Sequence, residues 1–161
     1  MPQFISVDHQ VCTGCKECEV VCSLYHFGEC NPERSAIRVI RRERNGLVEP
    51  LPLVCQQCEE APCMEACPTG ALVRENHMAV MTVDQENCTG CGECIDACPA
   101  GCIFMDKQED VAICCDLCGG QPQCIDLCHS NCLKLAQGDE ENKDRVINLA
   151  TVLEKRLSGG V

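Results

Sequence analysis

Between residues 35 and 54 the chain alternates. In "AIRVIRRE" apolar and charged residues exchange place by place, Asn45-Gly46 follows as a turn pair, and "LVEPLPLV" resumes the apolar run. Period-two alternation on both sides of an Asn-Gly pair predicts a β-hairpin. "MAVMTVD", at 78–84, has the same period and predicts a short strand. Near the end the period changes: Val146, Ala150, Leu153 and Leu157 fall on one helical stripe. Asp139, Glu140 and Glu141 precede that stripe, Lys155 and Arg156 lie near its far end, and Gly159 and Gly160 stop it, as the helix dipole favours. This helix must bury its apolar face, against its own domain or against a partner subunit. No apolar run approaches the roughly 20 residues of a membrane span, so no direct membrane insertion is expected.

Composition then alters the picture. With three Phe, one Tyr and no Trp in 161 residues, the chain lacks the side chains that normally fill a core. It has instead 20 cysteines. So many thiols mean either a disulfide scaffold or a metal protein. The N-terminus, "MPQFISVDHQVC", has neither a basic n-region nor an apolar h-region, so the chain is not expected to direct its own export. A cytoplasmic location follows as the expectation, and thiols kept reduced there favour metal. The net charge of -12 excludes a nucleic-acid backbone as the partner, because that requires a basic face. Five arginines, Arg34, Arg38, Arg41, Arg42 and Arg44, nevertheless gather around the hairpin. They form either a solvated strand face or a surface for an acidic partner.

The cysteines fall into four groups of four. Cys12, Cys15, Cys18 and Cys22 stand at gaps of two, two and three. Cys88, Cys91, Cys94 and Cys98 repeat those gaps and add a proline, which is the bacterial ferredoxin run C-x2-C-x2-C-x3-C-P. A zinc site would need only paired C-x2-C units. Cys55, Cys58, Cys63 and Cys67 widen the middle gap to four; Cys115, Cys118, Cys124 and Cys128 widen it to five and put His129 where the proline belongs. Sixteen thiolates suffice for four 4Fe-4S clusters. Gly14, Gly90 and Gly92 let backbone N–H groups approach the sulfurs, so a bulky residue at Gly14 or Gly92 is expected to disturb one cluster. Of the remaining thiols, Cys102 and Cys132 read as small packing residues and Cys30 as a spare. Cys114 competes with Cys115 as ligand, and the recurring x2 gap favours Cys115. His9, His26 and His77 read as solvated side chains. No nucleotide-binding glycine motif and no acid–base or nucleophile constellation stands out, so a catalytic role for this chain alone is not expected.

In two-cluster ferredoxins the fourth cysteine of each run serves the other cluster. The second and third groups are separated by the compact interval typical of such a pair, which leaves the first and fourth to each other. The expected sets are then Cys12, Cys15, Cys18 with Cys128; Cys55, Cys58, Cys63 with Cys98; Cys88, Cys91, Cys94 with Cys67; and Cys115, Cys118, Cys124 with Cys22. Sequential pairing, first with second and third with fourth, is the alternative. The corresponding fold is α+β: an outer ferredoxin-like module (1–34 and 104–135), a hairpin insertion (35–54), an inner module (55–103) and a C-terminal helical tail (136–161).

The four-group pattern, with "CQQCEEAPCMEACPTGAL" and "CDLCGGQPQC" above all, resembles the polyferredoxin electron-transfer subunits of the dimethyl sulfoxide reductase beta-subunit type. The resemblance extends from about residue 5 to about residue 132. It implies four cubanes, pairing of the first motif with the fourth and the second with the third, and electron relay between a catalytic subunit and a second redox partner. "NPERSAIRV" followed by "VCQQCEEAPC" is most similar to the small subunit of tungsten aldehyde oxidoreductases, with the companion of tungsten benzoyl-CoA reductase also similar. The partners so implied are a large tungsten- or molybdenum-pterin subunit in a hetero-oligomer, and a ferredoxin or flavin subunit. A small subunit of formate dehydrogenase or hydrogenase, and a free-standing soluble polyferredoxin, are the alternatives. His129, Cys102, Cys114 and Cys132 depart from the family pattern.

Overall fold

The computed structural model describes residues 3–74 and 80–138. Strand β1 (Gln3–Val7) leads into helix α1 (Glu17–Phe27), and a short turn at Pro32–Arg34 precedes strands β2 (Ile37–Arg44) and β3 (Leu47–Val54). Helix α2 (Pro62–Glu65), strands β4 (Leu72–Arg74) and β5 (Met81–Val83) and helix α3 (Glu93–Ala97) follow. Strands β6 (Phe104–Asp106) and β7 (Val111–Ile113), a turn at Leu117–Gly120, helix α4 (Gln123–Asp126) and strand β8 (Leu133–Gln137) complete the described chain. The strands form four antiparallel pairs: β1 with β8, β2 with β3, β4 with β5, and β6 with β7. α1 packs against α4, and α2 against α3. Strand β8 runs to Gln137, across residue 136, the expected start of the helical tail, and the expected helix lies outside the described residues.

The longest pair shows why this segment is a hairpin. Arg44 faces Leu47 across a two-residue turn in which Asn45 (φ 52°) and Gly46 (φ 76°) are both left-handed, as a tight hairpin turn requires. Pro50 and Pro52 lack an N–H, which is tolerable because β3 has only β2 as neighbour. Ile37 and Val39 point inward with Leu53 and Val54. At the root, the buried Glu19 carboxylate on α1 accepts from Val39 N at 2.6 Å and from Lys16 Nζ at 3.3 Å.

Arg34 and Arg38 turn inward rather than to solvent. Arg34 donates from Nε (2.8 Å) and Nη2 (2.6 Å) to Oδ2 of the fully buried Asp106, and its guanidinium lies 4.0 Å over the Phe27 ring. Arg38 lies 4.2 Å over Phe104 and donates to the Glu33 carbonyl at 2.7 Å. They fasten the hairpin's approach to β6, a contact across some seventy residues that no local pattern announces.

The core holds few large side chains. Among the described residues, Phe4, Ile5, Ile37, Leu53, Met81, Ile103 and Leu117 are its largest fully buried hydrophobic side chains. Interleaved among the core residues are the thiols of Cys22, Cys55, Cys63, Cys94, Cys115 and Cys124, so the expected ligands are themselves core.

Candidate metal centres

Each C-x2-C turn is built alike. The residue before the second cysteine is left-handed in all four: Gly14 (φ 71°), Gln57 (φ 51°), Gly90 (φ 67°) and Leu117 (φ 57°). Such a turn swings two thiols to one side and exposes N–H groups to them. At Gln57 and Leu117 a side chain carries the strain of roughly 1–2 kcal/mol that glycine avoids, and both are fully buried. The Gln57 amide also bonds to distant backbone. Its Nε2 donates to the Cys115 carbonyl at 2.6 Å and its Oε1 accepts from Met81 N at 2.7 Å. One amide thus joins the second cysteine group, strand β5 and the fourth group. Gln57→Ala leaves two buried backbone groups without partners, at about 1–3 kcal/mol each. We expect a fall of several degrees in the thermal midpoint, read by circular dichroism; an unchanged midpoint would remove Gln57 from this role.

The sulfurs gather across groups. Burial, and then the charges of Cys98, Cys58 and Cys63, push the Cys55 thiol up to about 12; Cys63 rises to about 11 through burial, Cys98 and Cys58. The mirror arrangement holds Cys94, raised by burial and by Cys88, Cys67 and Cys91. Cys124 is raised by burial and by Cys22, Cys118 and Cys18. Cys22, Cys115, Cys118 and Cys124 line one narrow cavity together with Ile5 and Ile37 among others. Cys18 is pushed up to about 12, by burial first, then Glu19, Cys15 and Cys12. Cys128 approaches this first group through its neighbours. His129 Nε2 is 3.3 Å from Thr13 Oγ1 and its Nδ1 is 3.2 Å from Glu17 Oε2, while the Cys132 thiol responds to both Cys12 and Cys128.

Backbone donors complete the shells. Ala36 N reaches Cys22 Sγ at 3.4 Å, Ala71 N reaches Cys67 at 3.3 Å, Cys102 N reaches Cys98 at 3.4 Å, and Ala112 N reaches Cys88 at 3.4 Å. At Cys67 burial is the largest influence and raises the thiol, but the Thr69 hydroxyl and the N–H groups of Leu72, Ala71 and Thr69 together bring it down to about 7. None of the twenty cysteines is joined in a disulfide. Sulfurs buried beside their own kind ionise only when a cation compensates them, and fixed N–H donors then stabilise the thiolates. The donor sets fit iron–sulfur cubanes held by four thiolates each.

The remaining thiols behave differently. Cys114 donates to the Met81 carbonyl at 3.7 Å, and the sulfurs that bear on it are Cys55, Cys63 and Cys94. Cys115 instead responds to Cys55, Cys124 and Cys22. Cys102 is fully buried and donates to the Ala100 carbonyl at 3.1 Å, and Cys30 is exposed. His26, expected to be solvated, has its Nε2 3.7 Å from Cys118 Sγ and 3.4 Å from Asp116 Oδ1. The separation of 92 positions between His26 and Cys118 keeps that contact out of any local sequence pattern.

Paired helices, short antiparallel strands and four cysteine-rich turns define an iron–sulfur protein on the ferredoxin plan. Residues 47–138 match the 4Fe-4S dicluster domain family and residues 9–25 match a 4Fe-4S binding domain. The chain belongs to the 4Fe-4S dicluster domain family. It is 39% identical over 116 residues to the aliphatic sulfonate oxidoreductase polyferredoxin-like subunit of Pyrococcus furiosus, covering 72% of this chain and 65% of that one. It is 37% identical over 127 residues to the putative electron transport protein YsaA of Escherichia coli, covering 73% and 77%. The thiosulfate reductase electron transfer subunit PhsB of Salmonella typhi is 33% identical over 115 residues, covering 69% and 59%. The chain thus spans about two thirds or less of the Pyrococcus and Salmonella relatives. The active site complex BamBC of benzoyl coenzyme A reductase shares the fold, with a TM-score of 0.50 at 24% identity over 95% of this chain and 89% of that one. Among the described residues no helix is long and apolar enough to cross a membrane.

Proposed function

We propose that the chain is an electron-relay subunit carrying four 4Fe-4S clusters, with one ferredoxin-like module inserted in another. The observation that carries this reading is the exchange of fourth cysteines: Cys98 bears on Cys55, Cys58 and Cys63, while Cys67 bears on Cys94 beside Cys88 and Cys91. The β1–β8 pairing, the α1–α4 packing and the His129 contacts to Thr13 and Glu17 support the same relation between the first and fourth groups. The ligand sets are then Cys12, Cys15, Cys18 and Cys128; Cys55, Cys58, Cys63 and Cys98; Cys88, Cys91, Cys94 and Cys67; and Cys115, Cys118, Cys124 and Cys22. When bound, the clusters supply one-electron exchange with little change in geometry. The chain's own residues bury the sulfurs, direct N–H groups at them and keep the sets in a row. Cys18 stands between the first and fourth sets, and Cys115 beside Cys55 joins the fourth to the second.

The partner in this reading is a large tungsten- or molybdenum-pterin catalytic subunit, most simply an aldehyde oxidoreductase, with a ferredoxin or flavin subunit at the other end. The names of the sulfonate oxidoreductase and thiosulfate reductase relatives support a hetero-oligomeric oxidoreductase. Iron and acid-labile sulfide on anaerobically purified protein test the count, with about sixteen of each expected for four cubanes. Cys115→Ser is expected to lower the iron by one cluster and Cys114→Ser to leave it unchanged. The opposite pattern would move the ligand to Cys114. Full-length protein that purifies alone from its native host, without a pterin subunit, would overturn the partner.

A further inference from the structure

We propose that His26 is a positioning residue for the fourth sulfur set, whose imidazole donates a hydrogen bond from Nε2 to Cys118 Sγ and so raises the reduction potential of the cluster held there. The inference rests on the reading of Cys118 as a ligand. It adds a side-chain donor that the cysteine spacing does not encode.

His26 lies on the last turn of α1, four residues after Cys22, so both project from the same face toward the same cavity. Its Nε2 is 3.7 Å from Cys118 Sγ, within reach of a hydrogen bond to sulfur, and 3.4 Å from Asp116 Oδ1. Asp116 cannot withdraw, because the same Oδ1 accepts from Cys118 N at 2.8 Å and caps the turn. Cys118 is itself fixed, in a left-handed conformation at φ 49° and ψ 44°. A carboxylate is thereby pinned beside a ligand thiolate, where its charge opposes the arrival of an electron. The imidazole stands against both groups, so that its N–H dipole lies between the carboxylate and the sulfur. It also lines the cavity of the four sulfurs on one side and an open cleft with Phe27, Arg34 and Gln85 on the other, so it forms the wall between sulfur and solvent. Its side chain is 24% exposed and packs edge-on against Tyr25, with ring centroids 5.0 Å apart.

A donor to a ligand thiolate stabilises the reduced, more negative cluster, so donors raise the potential and their removal lowers it. The donors described above for Cys22, Cys88 and Cys98 are backbone N–H groups, and at Cys67 the Thr69 hydroxyl stands beside them. The His26 donor can be deleted without touching the main chain.

The test is a potentiometric titration of the full-length, cluster-loaded protein followed by low-temperature EPR, on the native sequence, His26→Leu and His26→Gln. In His26→Leu one midpoint shifts to a more negative value while the others stay, and in His26→Gln, which keeps an N–H donor, that shift is smaller. Identical midpoints in all three proteins would overturn the role. Native protein with histidine labelled by nitrogen-15 gives a second readout: a hyperfine coupling to one reduced cluster that His26→Gln abolishes. If His26→Leu fails to retain iron, absence of that coupling in the native protein overturns the inference. Cys118→Ser separates the role of His26 from that of the sulfur it serves. Iron reduced by one cluster in Cys118→Ser with unshifted midpoints in His26→Leu sinks His26 alone, whereas full iron in Cys118→Ser sinks the ligand assignment beneath it.

Discussion

Gly90→Ala is expected to strip the protein of one cluster, whereas Gly92→Ala, two residues away, is expected to keep all of them. Both glycines are left-handed, at φ 67° and 83°, so each substitution carries the roughly 1–2 kcal/mol that a side chain costs in that conformation. The difference is space. A Cβ at Gly90 would stand 2.3 Å from the backbone carbonyl oxygen of Asp110, while one at Gly92 meets nothing within 4 Å. Asp110 closes the turn between β6 and β7, and that hairpin also supplies the N–H of Ala112 to Cys88 Sγ at 3.4 Å. Pushing the hairpin away to admit a methyl group withdraws this donor and displaces the turn that aims Cys88 and Cys91. Gly14→Ala falls between, since its Cβ would lie 3.0 Å from the Pro50 side chain rather than from backbone. Iron analysis with EPR ranks the three variants as Gly90 worst, Gly14 intermediate and Gly92 mildest. Full iron in Gly90→Ala would show that the third turn does not need this contact.

Removing the clusters is expected to unfold the chain. A structural zinc ion contributes roughly 10–16 kcal/mol to the folding of a small metal domain, as much as the roughly 5–15 kcal/mol of net stability a whole domain possesses. This chain has fewer alternatives than most, with one Tyr, three Phe and no Trp, and six of its expected ligands sit in the core. Without metal those thiols face one another with nothing between them. Burial then sets a further condition. The Cys55 thiol, raised from about 9 to about 12, favours the protonated form in the folded chain, so its contribution is present below pH 9 and is lost as the pH rises toward 12. Cluster-free protein should therefore show no cooperative thermal transition, least of all in alkaline buffer. A sharp melt with dispersed amide resonances after complete removal of iron would contradict this.

What was legible in the sequence is what depends on neighbours. The cysteine gaps are set by the reach of adjacent thiols, and the hairpin of β2 and β3 follows from alternation around Asn45-Gly46, so both are written locally. Gln57 was not legible: nothing in "CQQC" says that the second glutamine adopts a glycine-like conformation and bonds two distant segments. Glu19 and Arg34 look like surface charges until Val39 N and Asp106 arrive from elsewhere in the chain. His26 was missed for the same reason. Its function depends on Cys118 and Asp116, and proximity in space leaves no periodic trace.

The pairing of β1 with β8 has a consequence for the nascent chain. Val7 faces Leu133, so the first strand emerges from the ribosome with no partner until nearly the whole described sequence has been made. At about 5–20 residues per second, that interval lasts roughly 6–25 seconds. Throughout it the thiols of the first group are exposed to oxidants and to stray metal, whereas the middle of the chain already has its own strands and helices to hand. Assembly therefore proceeds from the inside outward, and β8, made late, closes on the first strand.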